Sequence, residues 1–222
     1  MKLWLASTDP DRVAQLFSYG VFEGVLTNPT MIASTGRPPI EVIRDLCAAA
    51  PGTVFCQLRN GTPEEMKGGA SKLLSKGWGN LGIKVPLTRD GCAALHWLRE
   101  QRVALRLATC VPATAPLLLA TALDVPWVTP VGSMLEKLGG PSKVALLTEM
   151  QSALDQQRSS TILIPSLSTP AEMRTLALLG IRSGFVWDRD ADSFLDNELV
   201  RRSVAGFDKD WEKLDAAGEA GY

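Results

Sequence analysis

Short apolar runs alternate with longer amphipathic segments along almost the whole chain. Eight runs read as strands: 2–7 (KLWLAS), 24–28 (GVLTN), 53–58 (TVFCQL), 81–87 (LGIKVPL), 103–111 (VALRLATCV), 127–134 (WVTPVGSM), 161–167 (TILIPSL) and 183–188 (SGFVWD). Each is short, rich in Val, Ile, Leu, Phe or Trp, and bounded by Gly, Pro, Ser, Thr or Asn. The segments between them carry helical patterns, several with a legible start. Asp9-Pro10 opens 10–19, a capping residue followed by proline at the first helical position. Thr62-Pro63-Glu64-Glu65 opens 62–76 with capping-box spacing, and Thr169-Pro170-Ala171-Glu172 opens 169–179 in the same way. Segments 38–49, 89–101, 112–123 and 141–157 supply the other helices.

Strand followed by helix, eight times over, implies parallel strands joined by crossover helices. Runs apolar at consecutive positions fit a sheet covered on both faces. Eight units in 222 residues predict an α/β fold, a compact (β/α)₈ TIM barrel, as one domain over 1–222. A doubly wound open sheet is the alternative, and it directs attention to a Gly-rich phosphate loop after a strand. The chain has neither G-x-G-x-x-G nor G-x-x-x-x-G-K-[ST]. The eighth helix is weak, around 189–195. Past it, NELVRRSVAGFDKDWEKLDAA predicts an additional C-terminal helix over 196–217 that covers the barrel or packs on a neighbouring subunit.

Composition narrows the function classes. The chain is 45% apolar and 21% charged with a net charge of −1, so no broad basic surface invites nucleic acid or an anionic membrane. The start MKLWLASTDP lacks the pattern of a leader peptide, and no run approaches the roughly 18 apolar residues of a membrane span. Cys47, Cys56, Cys92 and Cys110 show no C-x-x-C spacing and read as reduced thiols of a cytoplasmic protein. The single histidine, His96 in AALHWLRE, reads as structural. A Cys/His zinc site and a Ser-His-Asp triad of the usual kind are thereby set aside, and neither a metal nor a cofactor is expected.

In a barrel, function gathers at the carboxyl ends of the strands. Those ends carry Ala6 and Ser7, Thr27 and Asn28, Gln57, Lys84, Thr109, Thr129 to Ser133, Ser166 and Asp188. Most are small neutral groups suited to holding hydroxyls and carbonyl oxygens, and one is an amine. Lys84 lies in LGIKVPLT, between Ile83 and Val85. An ammonium in such surroundings costs several kcal/mol unless it is paired or gives up its proton. Two readings follow: a desolvated amine that attacks a carbonyl to form a Schiff base, or a lysine at the barrel mouth paired with an acidic neighbour.

The segment GVLTNPTMIAS is similar to the T-N-P-[ST] segment of the transaldolase family, and IKVPLT resembles the segment that carries that family's Schiff-base lysine on strand four. The chain length and the tail FDKDWEKL most resemble the small subgroup that includes fructose-6-phosphate aldolase and the short transaldolases. The resemblance, over roughly 1–215, implies a metal-free (β/α)₈ barrel that exchanges a dihydroxyacetone unit between sugars. It also implies a homo-oligomer, a pentamer or a decamer of stacked rings, with the C-terminal helix reaching a neighbour. Carried over position by position, it makes Lys84 the nucleophile. Asn28, beside Thr27, becomes a ligand of substrate hydroxyls, Gln57 and Thr109 the holders of a catalytic water, and Ser166 a lining residue. Thr129 and Ser133 join the substrate-binding candidates as strand-end groups.

The departures from the family pattern are chemical. Ala6 stands where the family has an aspartate acting as general acid/base, and Leu26 where it commonly has threonine. Val131 and Met134 stand where the aldolase subgroup has tyrosine and arginine, and Ser168 where a basic residue helps to hold phosphate. Charge-assisted bonds to phosphate have no counterpart in Met or Ser. Weak discrimination in favour of phosphorylated sugars is expected; Arg59, Arg89 and Arg106 are the candidates to compensate, although nothing in their spacing aims them at the mouth. Asp188 is the candidate to replace the missing acid/base, because strand eight adjoins strand one in a closed barrel. The expected activity is a Schiff-base enzyme that makes, breaks or transfers C–C bonds of a small hydroxycarbonyl or sugar-like substrate. Two alternatives are a Schiff-base enzyme of altered reaction type and a non-catalytic barrel that binds a metabolite.

Overall fold

Eight parallel strands alternate with helices in a computed structural model that describes residues 1–217. The last five residues of the predicted 1–222 domain lie outside the described residues. The strands are β1 (Lys2–Ala6), β2 (Phe22–Leu26), β3 (Thr53–Gln57), β4 (Leu81–Pro86), β5 (Arg106–Val111), β6 (Trp127–Pro130), β7 (Ile162–Leu163) and β8 (Ser183–Trp187). They hydrogen-bond in the order β7-β6-β5-β4-β3-β2-β1-β8. The seam between β7 and β8 is closed just beyond β7: the Phe185 N–H donates to the Pro165 carbonyl at 2.8 Å, and the Leu167 N–H to the Phe185 carbonyl at 2.7 Å. This is a (β/α)₈ barrel.

Its helices are α1 (Pro10–Phe17), α2 (Pro29–Ser34), α3 (Pro39–Ala49), α4 (Pro63–Leu74), α5 (Arg89–Glu100), α6 (Thr114–Ala122), α7 (Gly132–Lys137), α8 (Lys143–Gln156), α9 (Pro170–Leu178), α10 (Asp192–Leu195) and α11 (Glu198–Ala217). Several starts are built as the sequence suggests, but at Thr169 the expected capping box is only half formed, because the Glu172 carboxylate takes Lys143 and the Ser168 N–H instead. The Asp9 carboxylate accepts the Asp11 and Arg12 N–H groups, Thr62 and Glu65 form a reciprocal capping box, and Thr169 accepts from the Glu172 N–H. Each such cap stabilises its helix by about 1 kcal/mol.

The structure departs from the sequence pattern in three places. The strand expected over 127–134 ends at Pro130, and Gly132–Lys137 turns into α7. The strand expected over 161–167 is regular only at Ile162–Leu163, because Pro165 has no N–H for the ladder. A short helix, α2, follows Asn28 directly, with Asn28 as its N-cap and Pro29 at its first position.

Two apolar layers share the strands. Outward residues such as Val25, Val54, Ile83, Val85 and Val128 are buried under the helices. Inward residues Trp4, Leu26, Phe55, Leu107 and Ile164 form a separate cluster with Trp127 and Phe185. The rings of Trp4, Phe55 and Trp127 lie 5.5–6.1 Å apart and fill the barrel interior. Glycine makes the room: a Cβ at Gly82 would stand 2.4 Å from the Phe55 ring. Among the described residues no helix is long and apolar enough to cross a membrane.

Candidate active site

Side chains on a strand alternate between faces, so the residue two positions beyond each inward residue is again inward. Counting two on from the interior cluster gives Ala6, Asn28, Gln57, Thr109, Thr129, Ser166 and Trp187. On β4 the same step runs from Gly82 to Lys84. The aromatic layer therefore carries a polar layer, one step nearer the carboxyl ends of the strands. The ladder ties its members together: Gln57 pairs with Lys84, Pro86 with Thr109, Thr109 with Thr129, and Ala6 with Trp187.

Lys84 is 7% exposed. Its ammonium donates to the Thr27 carbonyl at 3.0 Å, and among the described residues no ion pair includes it. The partner is thus a neutral oxygen, unlike the acidic neighbour of the second sequence reading. Burial pulls the Lys84 pKa down from 10.5 to about 8, opposed by the Cys110 and Cys56 sulfurs. Burial pushes the Cys56 thiol up to about 11, which keeps it neutral at physiological pH. Near pH 8 part of Lys84 is then free amine, the form that attacks carbonyl carbon.

The other predicted residues take distinct positions. Thr27 meets Lys84 through its carbonyl, while its own hydroxyl donates to the Phe55 carbonyl at 2.9 Å. Asn28 accepts the Met31 N–H at 2.9 Å through Oδ1, so its amide NH₂ is the end left to face the mouth. The Thr129 hydroxyl donates to the Thr109 hydroxyl at 2.8 Å, both buried. Ser133, at the start of α7, comes within 3.3 Å of Ser166. Asn28, Ser133 and Ser166 share a cavity of about 590 Å³ with Val131, Met134, Phe185 and Trp187. Gln57 lines a second cavity, of about 700 Å³, with Pro29, Ile32, Cys56, Asn60 and Pro86.

Asp188 turns away from the cavity its neighbours line. Its Oδ2 accepts the buried Ser7 hydroxyl at 2.6 Å, and its Oδ1 accepts the Arg189 N–H at 2.7 Å. Trp187, Arg189 and Asp190 are the cavity residues of that stretch. Arg106 is buried in the lower half of the barrel, where it donates to the Val103 and Asp124 carbonyls.

No protein-family model matches the chain. Curated relatives do. The chain is similar to a probable transaldolase of Caulobacter vibrioides, 30% identical over 212 residues that cover 95% of this chain and 96% of that protein. The chain belongs to the transaldolase family. A probable transaldolase of Bartonella bacilliformis is 29% identical over 214 residues, and one of Streptococcus agalactiae 27% over 215, each match covering 96% of this chain and nearly all of the relative. The barrel is that of a transaldolase-like enzyme, with its amine and its hydroxyl and amide groups gathered at the carboxyl ends of the strands.

Several residues at this transaldolase-family mouth escape a sequence reading. Cys110 sits in a bulge between Thr109 and Val111, at φ 62°, which turns its side chain out of the strand. Phe185 and Trp187 flank Val186 along β8, and the alternation of the strand turns both inward. Trp4 and Trp127 fill the core, whereas Trp187 stands at the mouth. Lys143, a first-turn residue of α8 with no motif around it, is 4% exposed and donates to the Ser166 carbonyl and to Glu172.

Proposed function

We propose that this transaldolase-family protein makes, breaks or transfers C–C bonds of a small hydroxycarbonyl compound through a Schiff base on Lys84. One observation carries the reading: a buried lysine, with its pKa depressed to about 8 and a carbonyl oxygen as partner, stands in the polar layer of a barrel mouth. The Lys84 amine adds to the substrate carbonyl carbon, and the carbinolamine loses water to give an iminium. As the β-hydroxyl gives its proton to the bound water, the bond between the α and β carbons breaks, its electron pair goes to the iminium to form an enamine, and an aldehyde is released. The enamine then takes a proton, as an aldolase requires, or attacks a second aldehyde, as a transferase requires. Hydrolysis returns the amine.

The surrounding groups have matching tasks. Gln57 and Thr109, on strands flanking Lys84, hold the water that carries protons in and out, with Thr129 donating to Thr109 to fix its rotamer. The Asn28 amide, Ser133 and Ser166 bind substrate hydroxyls. Ala6 leaves the end of β1 without a carboxylate, and the observation favours a second reading in which the same imine serves an altered reaction such as dehydration. The protein is assigned to the small-subunit subgroup of the family, as a homo-oligomer of the cytoplasm.

Borohydride reduction in the presence of candidate ketones, followed by peptide mass spectrometry, tests the assignment. A covalent adduct on Lys84, absent in Lys84→Met, is the expected result. No adduct with any hydroxyketone removes the Schiff-base reading and favours a binding barrel. Product analysis with hydroxyketones alone and with added aldehydes separates bond transfer from dehydration.

A further inference from the structure

The cavity over β6–β8 has two unlike parts. One part of its lining is polar, Asn28 and the Ser133–Ser166 pair, 3.3 Å apart. The rest of the wall is largely apolar. Phe185 and Trp187 both point inward from β8, with ring centroids 5.8 Å apart in an edge-to-face arrangement that fixes both planes. Val131 and Met134 line the same cavity, the latter 56% exposed in the open mouth. An unbranched thioether on a short helix adapts its shape to an apolar guest.

Three charges stand at the rim, Lys137, Arg189 and Asp190, and one of the two cations is already engaged. The Arg189 guanidinium lies over the Trp187 ring, 5.2 Å from its centroid, and its Nε is 3.7 Å from the Asp190 carboxylate. Asp190 itself lines the cavity and offsets the Arg189 charge there. Lys137 lies one turn beyond Met134 along α7 and is exposed at the rim.

We propose that this apolar part is an acceptor subsite for an uncharged aldehyde bearing an aromatic ring or a branched apolar chain, held by Phe185, Trp187, Val131 and Met134. The proposal rests on the Schiff-base reading of Lys84. In the step it serves, the enamine carbon on Lys84 forms a bond to the aldehyde carbon. The aldehyde π electrons move to oxygen, which takes a proton from the water held by Gln57 and Thr109. The resulting iminium is hydrolysed, releasing a β-hydroxyketone and the free amine. No electron acceptor is needed.

The test pairs one donor, hydroxyacetone or dihydroxyacetone, with two acceptors, 3-phenylpropanal and glyceraldehyde 3-phosphate, in the purified full-length protein. Borohydride trapping with the donor alone is run alongside. The expected result is a Lys84 adduct and a kcat/KM for the phenyl acceptor at least tenfold above that for the phosphate. One well-placed apolar group is typically worth about 10–200-fold in such discrimination. Trp187→Ala should lower kcat/KM for the phenyl acceptor at least tenfold. Met134→Arg, at an exposed position where folding is not at stake, should move the preference toward the phosphate. A Lys84 adduct together with a preference for the phosphate, or variants that lower both acceptors equally, overturns the acceptor assignment alone. Absence of any adduct overturns the parent reading and this proposal with it.

Discussion

Lys143 and Glu172 form an ion pair with a 2.7 Å separation beneath the loop that follows β7, and both ends of the pair hold that loop. The lysine, nearly inaccessible, also donates to the Ser166 carbonyl, and the second oxygen of Glu172 accepts the Ser168 N–H at 2.7 Å. The same loop closes the barrel seam through Pro165 and Leu167 to Phe185. The position of the Ser166 hydroxyl, and with it one wall of the cavity, therefore depends on a charge pair outside the cavity. Lys143→Met leaves Glu172 without its cation in a site where breaking a buried pair costs about 3–5 kcal/mol. Urea unfolding should show a loss at the lower end of that range, because Glu172 keeps one-fifth of its side-chain surface in water. Adding Glu172→Gln to Lys143→Met should recover part of the loss. A loss below about 1 kcal/mol would mean that the pair does not hold the seam.

The depressed pKa of Lys84 sets two pH dependences. Below pH 8 the amine is protonated in both folded and unfolded chains, and the full cost of burying the charge falls on the folded state. Between about 8 and 10.5 the folded protein has released the proton while the unfolded chain still holds it, so stability rises with pH through that window. Lys84→Met, which removes the charge, should be more stable than the wild type at pH 7 by roughly 3 kcal/mol, at 1.36 kcal/mol per pKa unit. The gap should close by pH 10.5. The initial rate of imine formation should rise with an apparent pKa near 8, where an ordinary surface lysine would give a value above 10. A flat difference between the two unfolding profiles would contradict the burial argument.

Asp188 separates a positioning role from a catalytic one. Both carboxylate oxygens are engaged, by Ser7 and by the Arg189 N–H, at the seam where β1 meets β8. Asn in its place keeps one acceptor oxygen and the shape of the side chain. Turnover of Asp188→Asn should fall by less than tenfold. A general acid/base lost at this position would lower it by about 10²–10⁴. A drop of the larger size, with an acidic pKa removed from the pH–rate profile, would assign proton transfer to Asp188 in place of the water held by Gln57 and Thr109.

Much of the fold is legible because barrels write themselves locally. Strands covered on both faces must be apolar at consecutive positions, and helix starts need a capping side chain, so Asp9-Pro10 and Thr62-x-x-Glu65 announce α1 and α4 directly. Lys84 is conspicuous for a related reason, since a charge within an apolar run violates the pattern around it. What stays hidden depends on contacts between distant segments. Nothing near Lys143 foretells Glu172, 29 residues later, and barrel closure brings Asp188 to the end of β1 without foretelling that Ser7 would bind its carboxylate. The residues from Val131 to Lys137 mislead because Pro130 ends the strand within an otherwise strand-like run, and the backbone then has no ladder to join. Trp187 is ambiguous for a different reason. A large ring fits the barrel core as well as its mouth, and only its position two residues past Phe185 decides between them.

The last helix makes a prediction of its own. Residues 198–216 of α11 are exposed throughout, yet Val200, Val204, Phe207 and Leu214, at successive spacings of four, three and seven residues, share one helical face. A stripe of this kind is expected to be covered, since a polar-rimmed apolar surface this continuous marks an interaction site. The opposite face is laced with pairs such as Glu198–Arg202 and Asp210–Lys213, which suit it to water. The partner we assign is a second copy of this chain. Ring closure lets each copy give one helix and receive one, so that no stripe is left uncovered. Sedimentation of the full chain should then give a closed oligomer, a pentamer or its dimer of rings, at micromolar concentration. A chain ending at Asn197 should sediment as a monomer with far-UV circular dichroism reduced only by the missing helix. Phe207→Asp should dissociate the assembly without touching the barrel. Monomeric full-length protein under the same conditions would show that α11 serves some partner other than itself.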